Sequence, residues 1–109
     1  MDSILTSVKK LLGIAESYTE FDADIIMHIN AVFLVLQQLG VGPEKGFGIV
    51  DASAVWDDFL PYRFIASYMG AKVRLAFDPP QSSTAMEALK NTVAEMEFRL
   101  NIEFDKAES

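Results

Sequence analysis

Apolar side chains recur at helical spacing in the first half of the chain. In 3–12 they fall on one face, and Gly13 follows as a residue suited to the left-handed end of a helix. A second stretch, 22–39, follows an acidic variant of the capping box that starts at Thr19, and it ends at Gly40. Because this stretch is apolar nearly all round, it predicts a helix buried on several sides.

Two further helices are predicted in the second half. A short turn at 54–60 precedes a helix at 62–77, which the following Asp-Pro-Pro must end because proline has no N–H to donate. A last helix opens at Thr84, with Glu87 completing a capping box and Ser82 and Ser83 as alternative caps. Its apolar positions repeat in heptad fashion, which favours antiparallel packing in a bundle. This seam consists of Met86, Leu89, Val93, Met96, Leu100 and Phe104.

A long glycine-rich loop, 40–53, lies between the second and third main helices. Loops of this length in small domains are usually functional or become ordered against a partner. We expect its sizeable apolar side chains, Phe47, Ile49 and Val50, to meet a partner chain or to line a channel. The whole chain, 1–109, is thus predicted to be a single all-α domain, a small bundle of about four helices.

Composition narrows the classes of function. Half of the residues are hydrophobic, which excludes global disorder, and no apolar run approaches the roughly 18–20 residues of a membrane span. Cysteine is absent, which excludes disulfides and thiolate chemistry. The formal net charge of −7 disfavours a protein that grips a phosphate backbone. The high apolar content favours oligomerisation.

Groups that carry chemistry are scarce. The single histidine, His28, lies four residues after Asp24 on a helix, but without further ligands it is better explained as a surface or interface residue. Asp57 and Asp58 are adjacent in sequence, so they point about 100° apart on a helix and cannot act as a dyad. We therefore predict no catalytic residue, no metal site and no cofactor.

The order of these elements resembles the small head–tail connector proteins of long-tailed bacteriophages, a head-completion or adaptor family also described as DNA-packaging proteins. The densest similarity is the sequence KVRLAFDPP at 72–80. Shorter similar segments are ILTSVKKLLGI, FDADII, HIN, QLGVGP, WDDF, MEAL and EFRLN, so that the resemblance covers about 4–101. The chain departs from the pattern at Gly70, in the middle of a helix, and at Phe98, where the family prefers tryptophan.

The resemblance implies a structural protein of the virion, made in the host cytoplasm and carried by a phage or prophage. Such proteins form a ring, dodecameric in the particle, beneath the portal protein, and the ring offers a platform to the next connector or tail protein. DNA passes through without sequence-specific binding, and no membrane is involved. The resemblance also implies portal docking by the end of the chain, where we expect a flexible tail at 102–109 and name Phe104 and Asp105.

Lateral contacts between subunits are predicted on the second and third helices. The candidate interface residues are Ile25, Ile29, Phe33, Leu34, Arg63 and Arg74. A small dimeric helical regulatory or protein-interaction module is the main alternative function, and a helical enzyme or metal-binding protein is a third. The oligomeric mass at high protein concentration distinguishes the first two, because a connector should form large cyclic species whereas a regulator should form only a dimer.

Overall fold

A computed structural model describes residues 3–42, 46–56 and 65–108 of the chain, with side chains to Asn101. Four helices make up the fold: α1 (Ile4–Leu11), α2 (Asp22–Gln38), α3 (Ile65–Phe77) and α4 (Ser83–Glu108). The described ranges contain no strand, and a single antiparallel bridge joins Ser3 to Val55. The predicted all-α fold is confirmed.

The first and last helices are capped by serine. Ser3 Oγ accepts a hydrogen bond from the backbone N–H of Thr6 (3.3 Å) at the start of α1. Ser82 Oγ accepts one from the N–H of Ala85 (3.2 Å) at the start of α4. The cap of α4 is therefore Ser82, one of the two alternatives, rather than Ser83 or Thr84, because the helix begins at Ser83.

The start of α2 is held by a buried lysine rather than by a capping side chain. Phe21 occupies the N-cap position without a side-chain capping bond, so the capping box predicted from Thr19 is wrong. Lys9 of α1, only 2% exposed, donates instead to the carbonyl oxygens of Glu16 (3.0 Å) and Tyr18 (2.7 Å). Its Nζ also lies 2.9 Å from Oδ1 of Asp22, the first residue of α2. Two hydrogen bonds and one ion pair of the same ammonium group thus tie α1 to the connection at 12–21 and to the first residue of α2.

Helix α3 lies in the middle of the bundle and packs against α1, α2 and α4. Phe77, at its C-terminal end, contacts Phe21, the N-cap residue of α2, and His28 in the N-terminal half of α2, so α2 and α3 are antiparallel. After the short connection at 78–82, α4 returns along α3, and Lys72 pairs with Glu97 (3.0 Å). Because α2 and α4 are both antiparallel to α3, they run in the same direction along two different sides of it.

The core contains apolar residues of all four helices and of the loop after α2. The predicted seam of α4 is confirmed from Val93 to Leu100: Val93 and Leu100 are buried, and Met96 is half-buried against the core. Met86 and Leu89, in the first two turns of the helix, are half-buried without packing on that core. The buried apolar residues are Ile4, Leu5, Val8, Ile25, Ile29, Val32, Phe33, Leu36, Val41, Ile49, Ile65, Tyr68, Met69, Val73, Val93 and Leu100.

Gly70 marks the closest approach of α1 to α3. It is buried, and a Cβ added there would lie 2.5 Å from Cδ1 and 3.2 Å from Cβ of Leu11. Helical spacing alone predicts a polar stripe of Arg63, Ser67, Gly70 and Arg74 on α3, which is wrong for Gly70 because this position faces α1. The departure from the family pattern thus has a steric reason, since a side chain there would have to displace Leu11.

Several predicted features lie beyond the described residues. These are Arg63, the pair Asp57 and Asp58, and most of the turn at 54–60. Helix α4 continues to Glu108, through the segment expected to be a tail, but the side chains of Phe104 and Asp105 are not among those described.

Candidate subunit interface

The solvent-facing side of α2 carries no charge over four turns. We call it the α2 outer face; it consists of Ala23, Met27, Ala31, Leu34 and Gln38. At 100° per residue these positions fall within about 80° of one another, on the side of the helix away from the core. Met27 is 61% exposed and Leu34 is 57% exposed. Because an exposed helix side is normally charged or polar, this face is suited to contact another protein surface.

The candidate interface residues on α2 divide between core and surface. Ile25, Ile29 and Phe33 are at most 1% exposed and lie in the core of their own chain. A second subunit cannot reach them, so only Leu34 of the four remains available for a lateral contact. Periodicity alone could not separate them because α2 is apolar nearly all round.

Two depressions border the α2 outer face. One lies between α2 and α3, is predominantly apolar and has Ala31 in its wall, with His28, Val35, Lys72 and Ala76 among the other lining residues. The other lies between α2 and the loop and includes Leu34, with Asn30, Gln37, Phe47 and Gly48 among its lining residues. A ridge of side chains between two grooves is the surface form that a second helix packs against.

Asn30 holds the loop after α2 against the bundle. Its Nδ2 donates to the carbonyl oxygen of Ile49 (2.9 Å), and its Oδ1 accepts from the N–H of the same residue (2.8 Å). Gly48 passes close by, since a Cβ there would lie 3.2 Å from Asn30 Oδ1. Both backbone groups of Ile49 are therefore satisfied by one amide side chain, as a strand partner would satisfy them.

The three apolar residues of the loop are placed differently. Ile49 is 3% exposed and belongs to the core, and the ring of Phe47 packs edge-to-face on Phe33 with centroids 4.8 Å apart. Val50, by contrast, is 86% exposed. Two of the residues expected to meet a partner or a channel thus have neighbours in their own chain, and Val50 alone of the three points into solvent.

A row of aromatic rings covers one end of the α2–α3 pair. Tyr18, Phe21, Phe77 and His28 follow one another with centroid separations of 5.7, 5.6 and 6.0 Å. His28, the single histidine, therefore packs on an aromatic edge. Within the described ranges no group of three or more potential metal-ligating side chains occurs.

Helix α4 is fixed to α3 by a polar contact at half its length. Tyr68 Oη donates to Glu97 Oε2 (2.7 Å), and Lys72 Nζ lies 3.0 Å from the same oxygen. Burial raises the pKa of Tyr68 well above its usual value, and the hydrogen bond to Glu97 raises it further. The charge of Lys72 is balanced by Glu97 in this ion pair, whereas Arg74, a predicted interface residue, is exposed near the end of α3.

Three of the described cations lie beside carboxylates. Lys9, Lys72 and Arg99 are each within 3.0 Å of an acidic oxygen, on Asp22, Glu97 and Glu95 respectively. Together, this pairing and the net charge of −7 leave little positive potential that could attract a phosphate backbone. In the part of the chain that the structure describes, no helix is long and apolar enough to cross a membrane.

Comparison with known proteins agrees with the resemblance seen in the sequence. A family model described as phage connector protein matches residues 4–107, which is nearly the whole chain. No curated protein and no solved structure matches the chain. The family match includes α1, α2, α3 and all but the last residue of α4, and the chain belongs to the phage connector protein family.

Proposed function

We propose that this protein assembles as a ring beneath the portal of a tailed phage, extends the DNA channel and joins the head to the tail. The observation that carries the proposal is the uncharged α2 outer face, with Met27 and Leu34 exposed on a protein of the connector family. A ring subunit needs lateral contact surfaces, and apolar side chains exposed on an ordered helix supply one. The ring is expected to contain twelve copies in the particle.

The acidic surface supports a passive role toward DNA. A channel that releases DNA must not hold the phosphate backbone, and binding to phosphates requires clustered cations that release counterions. With a net charge of −7 and three cations paired to carboxylates, the protein lacks that clustering in its described part. We therefore infer that DNA passes without sequence-specific binding, and that the protein is structural rather than catalytic.

We assign the contacts at the two ends of the ring, with the proteins above and below it, to two other segments. Val50, 86% exposed on a loop that Asn30 holds in place, is a contact for a neighbouring protein or the channel mouth. The C-terminal part of α4, which contains Phe104 and Asp105, is the segment we assign to portal docking. The partners are thus the portal protein on one side and a downstream connector or tail protein on the other.

Deletion of the gene from the phage or prophage that carries it tests this function. We expect DNA-filled heads and free tails that fail to join, with infectivity restored by the wild-type gene. A Leu34→Asp variant should fail to restore joining, because a carboxylate would be buried at the lateral contact. Ser67→Asp, a change at an exposed position of α3, is the control and should restore it. Normal particles after deletion would contradict the proposal and favour a dimeric regulatory module.

A further inference from the structure

A closed ring requires two different contact surfaces on each subunit, because every copy touches one neighbour with one surface and the next neighbour with another. The α2 outer face is one such surface. Among the described residues, a second uncharged stripe with a large exposed apolar side chain lies on α4. We call it the α4 outer face; it consists of Asn91, Ala94, Phe98 and Asn101. Phe98 is 64% exposed, and all four positions lie away from the seam that packs on α3.

The two faces occupy the same height along α3. Lys72 of α3 bonds Glu97, the residue before Phe98, and it lines the same groove as Val35, the residue after Leu34. Leu34 and Phe98 are therefore level with each other, on the two helices that flank α3. One turn earlier on each helix, Ala31 and Ala94 form a matching level of small side chains, which permits close approach of two backbones.

Helix direction agrees with this matching. Within one subunit α2 and α4 run the same way, since both are antiparallel to α3. A rotation of about 30° from one subunit to the next, as twelvefold symmetry requires, leaves α2 of one copy nearly parallel to α4 of its neighbour. Helices that cross at about 20° interdigitate their side-chain ridges well.

The electrostatics also favour a second copy as the occupant. From Met27 to Gln38 on one face and from Asn91 to Asn101 on the other, the facing positions carry no charge. Neither stripe itself carries an ion, and the charges nearest the α4 outer face, the ion pair of Arg99 with Glu95 on one side and exposed Lys90 on the other, stay at its borders in water. An uncharged apolar stripe offers no cation to the phosphates of DNA, and it is complementary to another uncharged apolar stripe.

We propose that the lateral contact of the ring is heterologous, with the α2 outer face of one subunit packed against the α4 outer face of the next, so that Leu34 meets Phe98. The proposal rests on the ring function proposed above and names its interface. A stripe about 16 Å long and one helix, about 10 Å, wide is small beside the about 800 Å² per partner of a stable interface. A single contact is therefore weak, and the ring gains strength by closing.

Cross-linking tests this directly because the chain contains no cysteine. Leu34→Cys and Phe98→Cys variants are made separately, mixed at high concentration and treated with a short bis-maleimide. We expect the mixture to give a covalent heterodimer and each variant alone to give monomer. The double variant, L34C/F98C, should give a ladder of covalent multimers. Closure within one subunit is unfavourable because the two positions point away from α3 on helices that each lie about 8–10 Å from it.

Ser67→Cys is the matched control, since Ser67 is exposed on α3 outside both faces. A mixture of S67C with F98C that cross-links as strongly as the L34C mixture would overturn the proposal. Dimers from L34C alone would also overturn it, because they would show an isologous α2–α2 contact. Rings of the wild-type protein without an L34C–F98C product would contradict the proposed interface but not the proposed ring function. Absence of any wild-type oligomer, both in isolated protein and in particles, would contradict the interface and the ring function together.

Discussion

Replacement of Lys9 by methionine is expected to cost the fold more than any other single change of a charged residue in the described part of the chain. The methionine retains most of the buried aliphatic stem but removes three polar contacts, to the carbonyl oxygens of Glu16 and Tyr18 and to the carboxylate of Asp22. Loss of one partner from a buried ion pair costs about 3–5 kcal/mol. The Asp22 side chain is 25% exposed and can be partly rehydrated, so we expect a loss of about 2–3 kcal/mol.

Urea unfolding followed by circular dichroism measures this loss. At a slope of about 1–3 kcal/mol per molar urea, the midpoint should fall by about 0.7–3 M. Lys10→Met is the control, because Lys10 is the neighbouring lysine and is exposed, and it should change the free energy of unfolding by no more than about 0.5 kcal/mol. A double-mutant cycle with Asp22→Asn should give a coupling energy above about 1 kcal/mol. The reasoning is refuted if K9M and K10M unfold at the same urea concentration, or if the cycle is additive.

Three further outcomes are expected. Asn30→Ala should accelerate hydrogen exchange at the amide of Ile49 and destabilise the protein by about 1–2 kcal/mol, and unchanged exchange there would show that the side chain does not hold the loop. Gly70→Ala should change the free energy of unfolding about 1 kcal/mol more favourably in a Leu11→Ala background than in the wild type, as measured by urea unfolding. Equal changes in the two backgrounds would contradict the close contact of α1 with α3. The folded state raises the pKa of Tyr68 and so holds its proton longer than the unfolded state. Stability should therefore fall as the pH rises above about 10, and Tyr68→Phe should lack this component of the fall; an identical alkaline fall in both proteins would contradict it.

The sequence was informative wherever a local signal decides the structure. Helix stops such as Gly13 and Gly40, both at positive φ in the structure, depend on a few neighbouring residues and were predicted correctly. The heptad seam of α4 was predicted correctly from Val93 to Leu100. Lys9 and Lys10 show the limit of such signals. They are adjacent and identical in type, and each suits the C-terminal turn of a helix, yet one is buried and the other is exposed. Only the packing of the connection between α1 and α2 distinguishes them.

The exposed side of α2 was predicted only in part for the same reason. An apolar excess on α2 indicated that one side would remain outside the core, but it did not indicate which side, so Ile25, Ile29 and Phe33 were included with Leu34. Asn30 gave no signal because a polar residue in an apolar helix is equally compatible with exposure and with a hydrogen bond to a distant loop. Both features depend on tertiary contacts, which a single sequence does not display.

Electron cryomicroscopy of DNA-filled heads from the phage or prophage that carries this protein would show whether it occupies the portal vertex. We expect a ring of this protein directly beneath the portal, with DNA passing through it and with α2 of each copy packed against its neighbour. Absence of the protein from the portal vertex of joined particles would contradict the proposed connector function.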